Sequence, residues 1–294
     1  MAKLIDQPGQ RPVVNVSPNN PVFDLPIYVA RDEGLFEKAG IEVRFQAKYS
    51  QRNASDADPF QRLKEALFEQ GKADVYNLCE WAGIDRSEKS CRGAQVLALR
   101  PAVGAQAIIS FDKSIQEPRD LACVPVGIND RTGSHYTTLQ SLEGTLARAD
   151  IVVQHVGVPE RRYQALKEKT IRAVAVMEPF ISLGLKEGAH LVDVTFYRGA
   201  EVIAPHLTTE QRGAYLDAIN EAADRIMADF GRYKHYVTEQ TKGALAPREL
   251  SSHFARYTHY KVYAPERFQQ VYEWMRSWGL ASGDADHAKL VASL

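Results

Sequence analysis

Short apolar strands alternate with helices along most of the chain, and the alternation comes in two successive sets. In the first set, VVNV (13–16) reads as a strand and 25–39 as a helix interrupted at Gly34 and closed by Gly40. IEVRFQA (41–47) is a second strand, and 60–70 is amphipathic, with Phe60, Leu63, Leu67 and Phe68 on one stripe. ADVYNL (73–78), AQVLAL (94–99) and VGAQAIISF (103–111) follow as strands. The second set runs CVPVGIN (123–129), a helix over 134–146, IVVQHVG (151–157), a helix over 161–169, IRAVAVM (171–177) and HLVDVTF (190–196). From Thr208 onward the pattern is helical, over 213–230, 233–241, 247–257 and 265–278. Apolar runs of this length separated by amphipathic helices call for a mostly parallel sheet covered on both faces, and two sets call for two lobes.

Length and charge agree with that picture. The chain has 294 residues, enough for two lobes with cores of their own. A formal charge of −1 leaves no basic footprint for nucleic acid. No apolar run approaches the roughly 18–20 residues of a membrane span. The start, MAKLIDQPGQRPVV, has one Lys and no apolar h-region, so a cytoplasmic chain is expected as the sequence stands, and a periplasmic one if the natural N-terminus is longer. Cys79, Cys91 and Cys123 are too few and too irregular for a disulfide framework or a zinc site, and the eight His form no ligand pair. Neither a metal nor another cofactor is expected.

Residues that bear on binding gather where strands end and helices begin, the place where open α/β sheets hold ligands. After VVNV the chain passes through Asn19 and Asn20, with Phe23 and Asp24 behind them. After CVPVGIN comes Asp130-Arg131-Thr132-Gly133-Ser134-His135. Gly133 lets the backbone approach a guest, Thr132 and Ser134 offer hydroxyls, Arg131 offers charge, and a helix start suits an anion. The plainer reading of the same turn is ordinary capping by Thr132 or Ser134. Glu80 and Trp81 follow the third strand, where an acid can accept from a ligand N–H while the indole stacks. Glu178 closes IRAVAVM before Pro179. Ser134 and His135 are adjacent, diverge by about 100° on a helix and cannot form a nucleophile–base pair. No G-x-S-x-G and no phosphate-loop motif occurs. The C-terminal aromatics Tyr257, Tyr260, Tyr263, Trp274 and Trp278 read as helix packing.

VVNVSPNNPVFDLPIYVARDEGLFEKAGIEV, GKAD at 71–74, VGINDRTGSHYTTLQSLE, AVAVMEPFISLGLKEGAHLV and YLDAINEAADRIMAD occur in the order found in type II periplasmic-binding-protein folds. The chain resembles the branch of aliphatic-sulfonate binders and thiamine-pyrimidine proteins over nearly its whole length. The resemblance implies an α/β fold of two lobes joined by two crossing strands, with a ligand shut in the cleft between them. Lobe I would comprise 1–100 plus 181–294, and lobe II 101–180. Asn19, Asn20, Phe23 and Asp24 would form one wall of the cleft, with Glu80, Trp81, the 131–135 turn and Glu178 around it.

Most members of that branch are secreted solute receptors for importers; some cytosolic members are lyases or synthases. The position of the desulfinases' catalytic Cys is Asn20 here, and Leu78 and Ala82 stand where pyrimidine synthases carry a Lys and a His. Their Cys-rich motif is absent. The expected function is therefore binding of a small planar anion, such as a substituted pyrimidine, an aromatic carboxylate or a sulfonate, with an ABC permease as partner if the chain is exported. The alternative is a lyase of the same fold, a decarboxylase or desulfinase acting on an aromatic acid, with Glu80, His135 and Glu178 as its candidate acid–base groups.

Overall fold

The computed structural model describes residues 11–51, 58–281 and 283–294. The N-terminal stretch on which the localisation expectation rests falls largely outside them.

The first half of the molecule begins with β1 (Val13–Val16), α1 (Pro21–Asp32), α2 (Leu35–Lys38) and β2 (Glu42–Phe45). It continues with α3 (Leu63–Glu69), β3 (Val75–Cys79) and α4 (Glu80–Lys89). A strand of sixteen residues, β4 (Gln95–Ser110), then leads to β5 (Val126–Ile128), α5 (Gly133–Leu142), β6 (Val153–His155), α6 (Pro159–Lys167), β7 (Ala173–Val176) and α7 (Phe180–Lys186). β8 (His190–Ile203) returns the chain. α8 (Thr209–Ala228), α9 (Phe230–Thr238), β9 (Ala255–Tyr257), α10 (Pro265–Ser277) and α11 (His287–Leu290) complete it.

All nine strands join one sheet in the order β2-β1-β3-β8-β4-β7-β5-β6, with β9 on β4. β1, β2 and β3 are mutually parallel, as are β5, β6 and β7. The two parallel sets are joined through β4 and β8, which run antiparallel along their length. The first part of β8 pairs with the far end of β4, His190 opposite Ser110, and its last part pairs with both β3 and the near end of β4. The crossing is marked by a register break between Leu99 and Val103, opposite Ala200 and Arg198. α7 packs on α6, β4 and β8, so the stretch from Phe180 to the middle of β8 sits with the second parallel set.

Several local expectations change. The stretches 94–99 and 103–111 are one strand, because pairing with β8 carries the backbone through Pro101. β8 extends past 196 to Ile203 for the same reason. The expected helix at 247–257 is a single turn at Pro247–Glu249 followed by β9, whose Ala255–Tyr257 pairs with Gly104–Ala102. The first helix opens at Pro21 rather than Leu25: the Asn20 carboxamide caps it by accepting from Val22 N at 3.0 Å, with Pro21 in its first turn. Pro26 inside this helix cannot bond the Val22 carbonyl, and the Tyr257 hydroxyl donates to that oxygen at 2.8 Å instead. α4 was not anticipated, and α7 begins directly after Pro179, a residue suited to a helix start.

α10 ties elements together at the rim. Arg267 donates to both oxygens of Glu80 on α4, each at 2.6 Å. At the other end of α10 the indoles of Trp274 and Trp278 both donate to Glu143, the residue that follows α5.

Candidate functional site

The tips of the parallel strands converge on a cavity of about 120 Å³. Asn19 and Asn20 reach it from the end of β1, Leu78 and Cys79 from β3, Asn129 and the start of α5 from β5, Pro159 of α6, and Met177 from β7. Arg100 of β4 and Tyr197 of β8 face it from the crossing strands. A cavity of about 150 Å³ holds a benzene ring, so whatever part of a guest lies inside this one is of that order or smaller.

Its first wall is a polar network. Asn77 accepts from Asn19 Nδ2 and, at 2.7 Å, from Arg100 Nη1, and its own amide donates to Asp24. Asp24 also accepts from the Asn19 backbone N–H at 2.6 Å. Lys64 Nζ lies 3.3 Å from the Asn77 carbonyl. Burial pushes the Asp24 carboxyl up to about 6 despite these donors, and burial lowers the Lys64 ammonium.

Arg100 is the central charge. It is 1% exposed, and its guanidinium lies 3.9 Å from the centre of the Phe23 ring. Nη1 bonds the neutral amide of Asn77, while Nε and Nη2 make no well-formed hydrogen bond, with the Tyr197 side chain beside the guanidinium. Among the described residues no carboxylate pairs with it. The buried carboxylates Asp24 and Glu201 feel its charge without meeting it in an ion pair, so its donors toward the cavity are not closed by a salt bridge. Gly199 makes room for it, since a β-carbon there would lie 2.3 Å from Arg100 Cζ and 2.1 Å from the Leu78 carbonyl.

Three more cations line the cavity: Lys64, Arg62 and Arg162. Arg62 donates to the Asp130 carbonyl at 2.9 Å, bridging α3's leading residue to the turn before α5. Arg162 donates to the Ala175 carbonyl at 2.7 Å and to Gly157 O. Among the described lining residues Glu65 is the one carboxylate, beside the four cations Arg62, Lys64, Arg100 and Arg162.

Of the residues singled out from sequence, Asn19, Asn20, Phe23, Thr132 and Gly133 line the cavity together. Gly133 is required there: a β-carbon would meet the Tyr197 hydroxyl at 2.6 Å. Asp24 stands behind the wall. The other predicted residues do not line the cavity and are engaged elsewhere. Thr132 donates to the Asn129 carbonyl at 2.8 Å, although its residue lines the space, and Ser134 Oγ accepts from Asn129 N at 2.9 Å. Arg131 reaches Asp85 at 3.6 Å and the Leu280 carbonyl. His135 contacts Asp130 at 2.9 Å, and that contact holds the Asp130 carboxyl down at about 2. Glu80 is closed by Arg267, and Trp81 packs against Tyr136, Tyr197 and Trp274. Glu178 accepts from the backbone N–H and hydroxyl of Ser182, and burial pushes its carboxyl up to about 7.

Arg62, Lys64, Asn77, Arg100, Arg162 and Tyr197 went unmarked in the sequence reading. Arg100 had a signal: it is the lone charge in the apolar run LALRPAVGAQAI. Asn77 had a weaker one, as the amide inside the buried strand VYNLC, and the others had none.

Asn20, Leu78 and Ala82 all line this cavity, and none of them offers a nucleophile or an acid–base group. The one thiol present, Cys79, is pushed up to about 11 by burial, so it stays protonated at neutral pH. Among the described residues no group of His, Cys, Asp and Glu could hold a metal ion, and no helix is long and apolar enough to cross a membrane.

No family profile matches the chain, and no curated protein matches it. Solved structures do. The alkanesulfonate-binding protein SsuA of Xanthomonas axonopodis pv. citri, bound to MOPS, superposes with a TM-score of 0.72 at 13% identity, covering 96% of this chain and 97% of that one. The periplasmic aliphatic sulphonate binding protein SsuA of Escherichia coli gives 0.74 at 14%, covering 97% and 93%. A Candida albicans protein, described as defining a new family with the generic periplasmic binding protein fold, gives 0.70 at 11%, covering 96% of each chain. The chain has the periplasmic-binding-protein fold, of the kind seen in these sulfonate binders.

Proposed function

We propose that the protein is a ligand-binding protein that holds a small anion, a carboxylate or sulfonate, in the cavity between its two halves. The observation that carries this reading is Arg100: a buried guanidinium at the cavity wall, two of whose nitrogens make no well-formed hydrogen bond and which no described carboxylate meets in an ion pair. An anionic guest offers those nitrogens acceptors and a direct ion pair, on a wall that Arg62, Lys64 and Arg162 also line. Asn19, Asn20, Phe23, Thr132 and Gly133 shape the rest of the pocket.

In this reading the halves divide where β4 and β8 cross, near the register break at Leu99–Val103. Opening there admits the ligand, and closure is held by contacts that span the cleft, among them Arg62 with the Asp130 carbonyl and Arg86 with the Arg131 carbonyl at 2.9 Å. An ABC-type import permease is the partner that such a receptor would serve.

The test is a thermal-shift and calorimetric screen of small carboxylates and sulfonates against the purified protein and R100M. At least one anion is expected to raise Tm and bind wild type, with affinity reduced tenfold or more in R100M. A panel in which no anion binds, or in which R100M binds as well as wild type, overturns the reading.

A further inference from the structure

Next to the cavity lies a second, larger groove, of about 790 Å³, and Tyr49 and Val158 belong to the walls of both. Asn20 of the cavity and Gln240 of the groove are hydrogen-bonded to each other, Nδ2 to Oε1 at 3.2 Å. The two spaces are therefore neighbours across a thin polar partition.

The groove differs in chemistry from the cavity. Its side is a row of three partly buried rings: Phe45 and Tyr28 stack with centroids 4.9 Å apart, and Tyr28 and Tyr236 stack at 5.8 Å and 6°. Arg31 lies over Tyr28 and Phe45, at 5.5 and 5.3 Å from their centroids, and its charge is matched by Asp32 at 2.6 Å. Around it Lys48 and Lys242 offset Glu160 and Glu239. Where the cavity concentrates positive charge, the groove offers apolar ring surface and balanced charge.

We propose that the groove is a second binding subsite, and that the ligand is an elongated acid whose anionic head sits at Arg100 and whose neutral, apolar or planar tail lies along Phe45, Tyr28 and Tyr236. This rests on the anion reading above. The inner cavity has room for a head group and little more, so a longer molecule must leave it. The groove that shares its wall presents the surface such a tail would bury, and aromatic residues are well suited to hold planar or aliphatic groups there.

The experiment is calorimetry with four probes, propionate, hexanoate, phenylpropionate and phenylhexanoate, on wild type, Tyr236→Ala and Phe45→Ala. Propionate serves as an internal check that each variant still folds and holds the head group. Affinity is expected to rise at least about tenfold from propionate to phenylhexanoate, as burial of a few methylenes and a ring requires. Each variant is expected to lose most of that gain while keeping propionate binding. Equal affinity for all four acids overturns the subsite and leaves the anion reading standing, as does a loss of affinity with length. So does a length gain that both variants retain, since the tail would then lie elsewhere. If no acid or matched sulfonate binds wild type, the anion reading falls and the subsite with it.

Discussion

Tyr257 stands in for the hydrogen bond that Pro26 cannot make. Pro26 lies in α1, where its ring nitrogen has no hydrogen for the Val22 carbonyl, and the Tyr257 hydroxyl of β9 donates to that oxygen from 2.8 Å. Val22 is buried, next to Phe23 on the cavity wall, so an unmet carbonyl there would have no water to turn to.

Replacing Tyr257 by Phe is therefore expected to cost about 1–3 kcal/mol in urea unfolding, the range for a stranded buried acceptor. Pro26→Ala restores a backbone donor, and the double variant is expected to recover part of that loss. A double-mutant cycle with no coupling would show that the two residues act independently.

Arg100 serves binding more than stability. In R100M similar volume remains while Asn77 loses a donor and the Asp24 and Glu201 carboxyls are pushed further up, so the stability of the ligand-free protein is expected to change by no more than about 1–2 kcal/mol. Anion affinity is expected to drop in the same variant. A large loss of stability would mean that Arg100 holds the fold rather than the ligand.

Gly199 belongs to the same arrangement. A β-carbon at 199 has no space beside Arg100 Cζ and the Leu78 carbonyl. Gly199→Ala is expected to destabilise by about 1–3 kcal/mol and to weaken anion binding by moving the guanidinium. Gly213, where a β-carbon meets nothing within 4 Å, is the control, and Ala there is expected to be tolerated.

Stability should fall as pH rises from about 5 to 8. Burial raises the folded-state carboxyls of Glu178 and Glu201 to about 7 and of Asp24 to about 6, above their unfolded values. The folded protein then binds more protons than the unfolded chain, so the stabilisation present below about pH 4.5 is lost as pH passes through 6 to 7. Glu178→Gln is expected to flatten the slope of unfolding free energy between pH 5 and 8. A steeper or unchanged slope would place the titration elsewhere.

The alternation of strand and helix was legible where parallel strands are buried on both faces and carry apolar runs, as in VGI of β5 and AVAV of β7, which are buried throughout. The crossing strands were less so. Pro101 reads as a break, and only pairing with β8 keeps β4 continuous across it. β9 was mistaken for helix because three residues carry no period of their own and owe their form to β4. Within the site, the Asn-Asn turn and Gly133 could be found because turn chemistry is local. Arg62 and Arg162 could not, because what makes them wall residues is the approach of segments distant in sequence. Glu80 looked like a ligand acceptor for the same reason: its partner, Arg267, lies 187 positions away.

The anchoring of α10 has a consequence for the end of the chain. Arg267 fastens it to Glu80 in the first half, and Trp274 and Trp278 grip Glu143 beside α5 in the second. A chain truncated before Pro265 would keep every sheet strand yet leave its halves linked by fewer ties at that rim. The C-terminal segment is thus a brace across the molecule, and a label or fusion attached there would report on how far apart the two halves move.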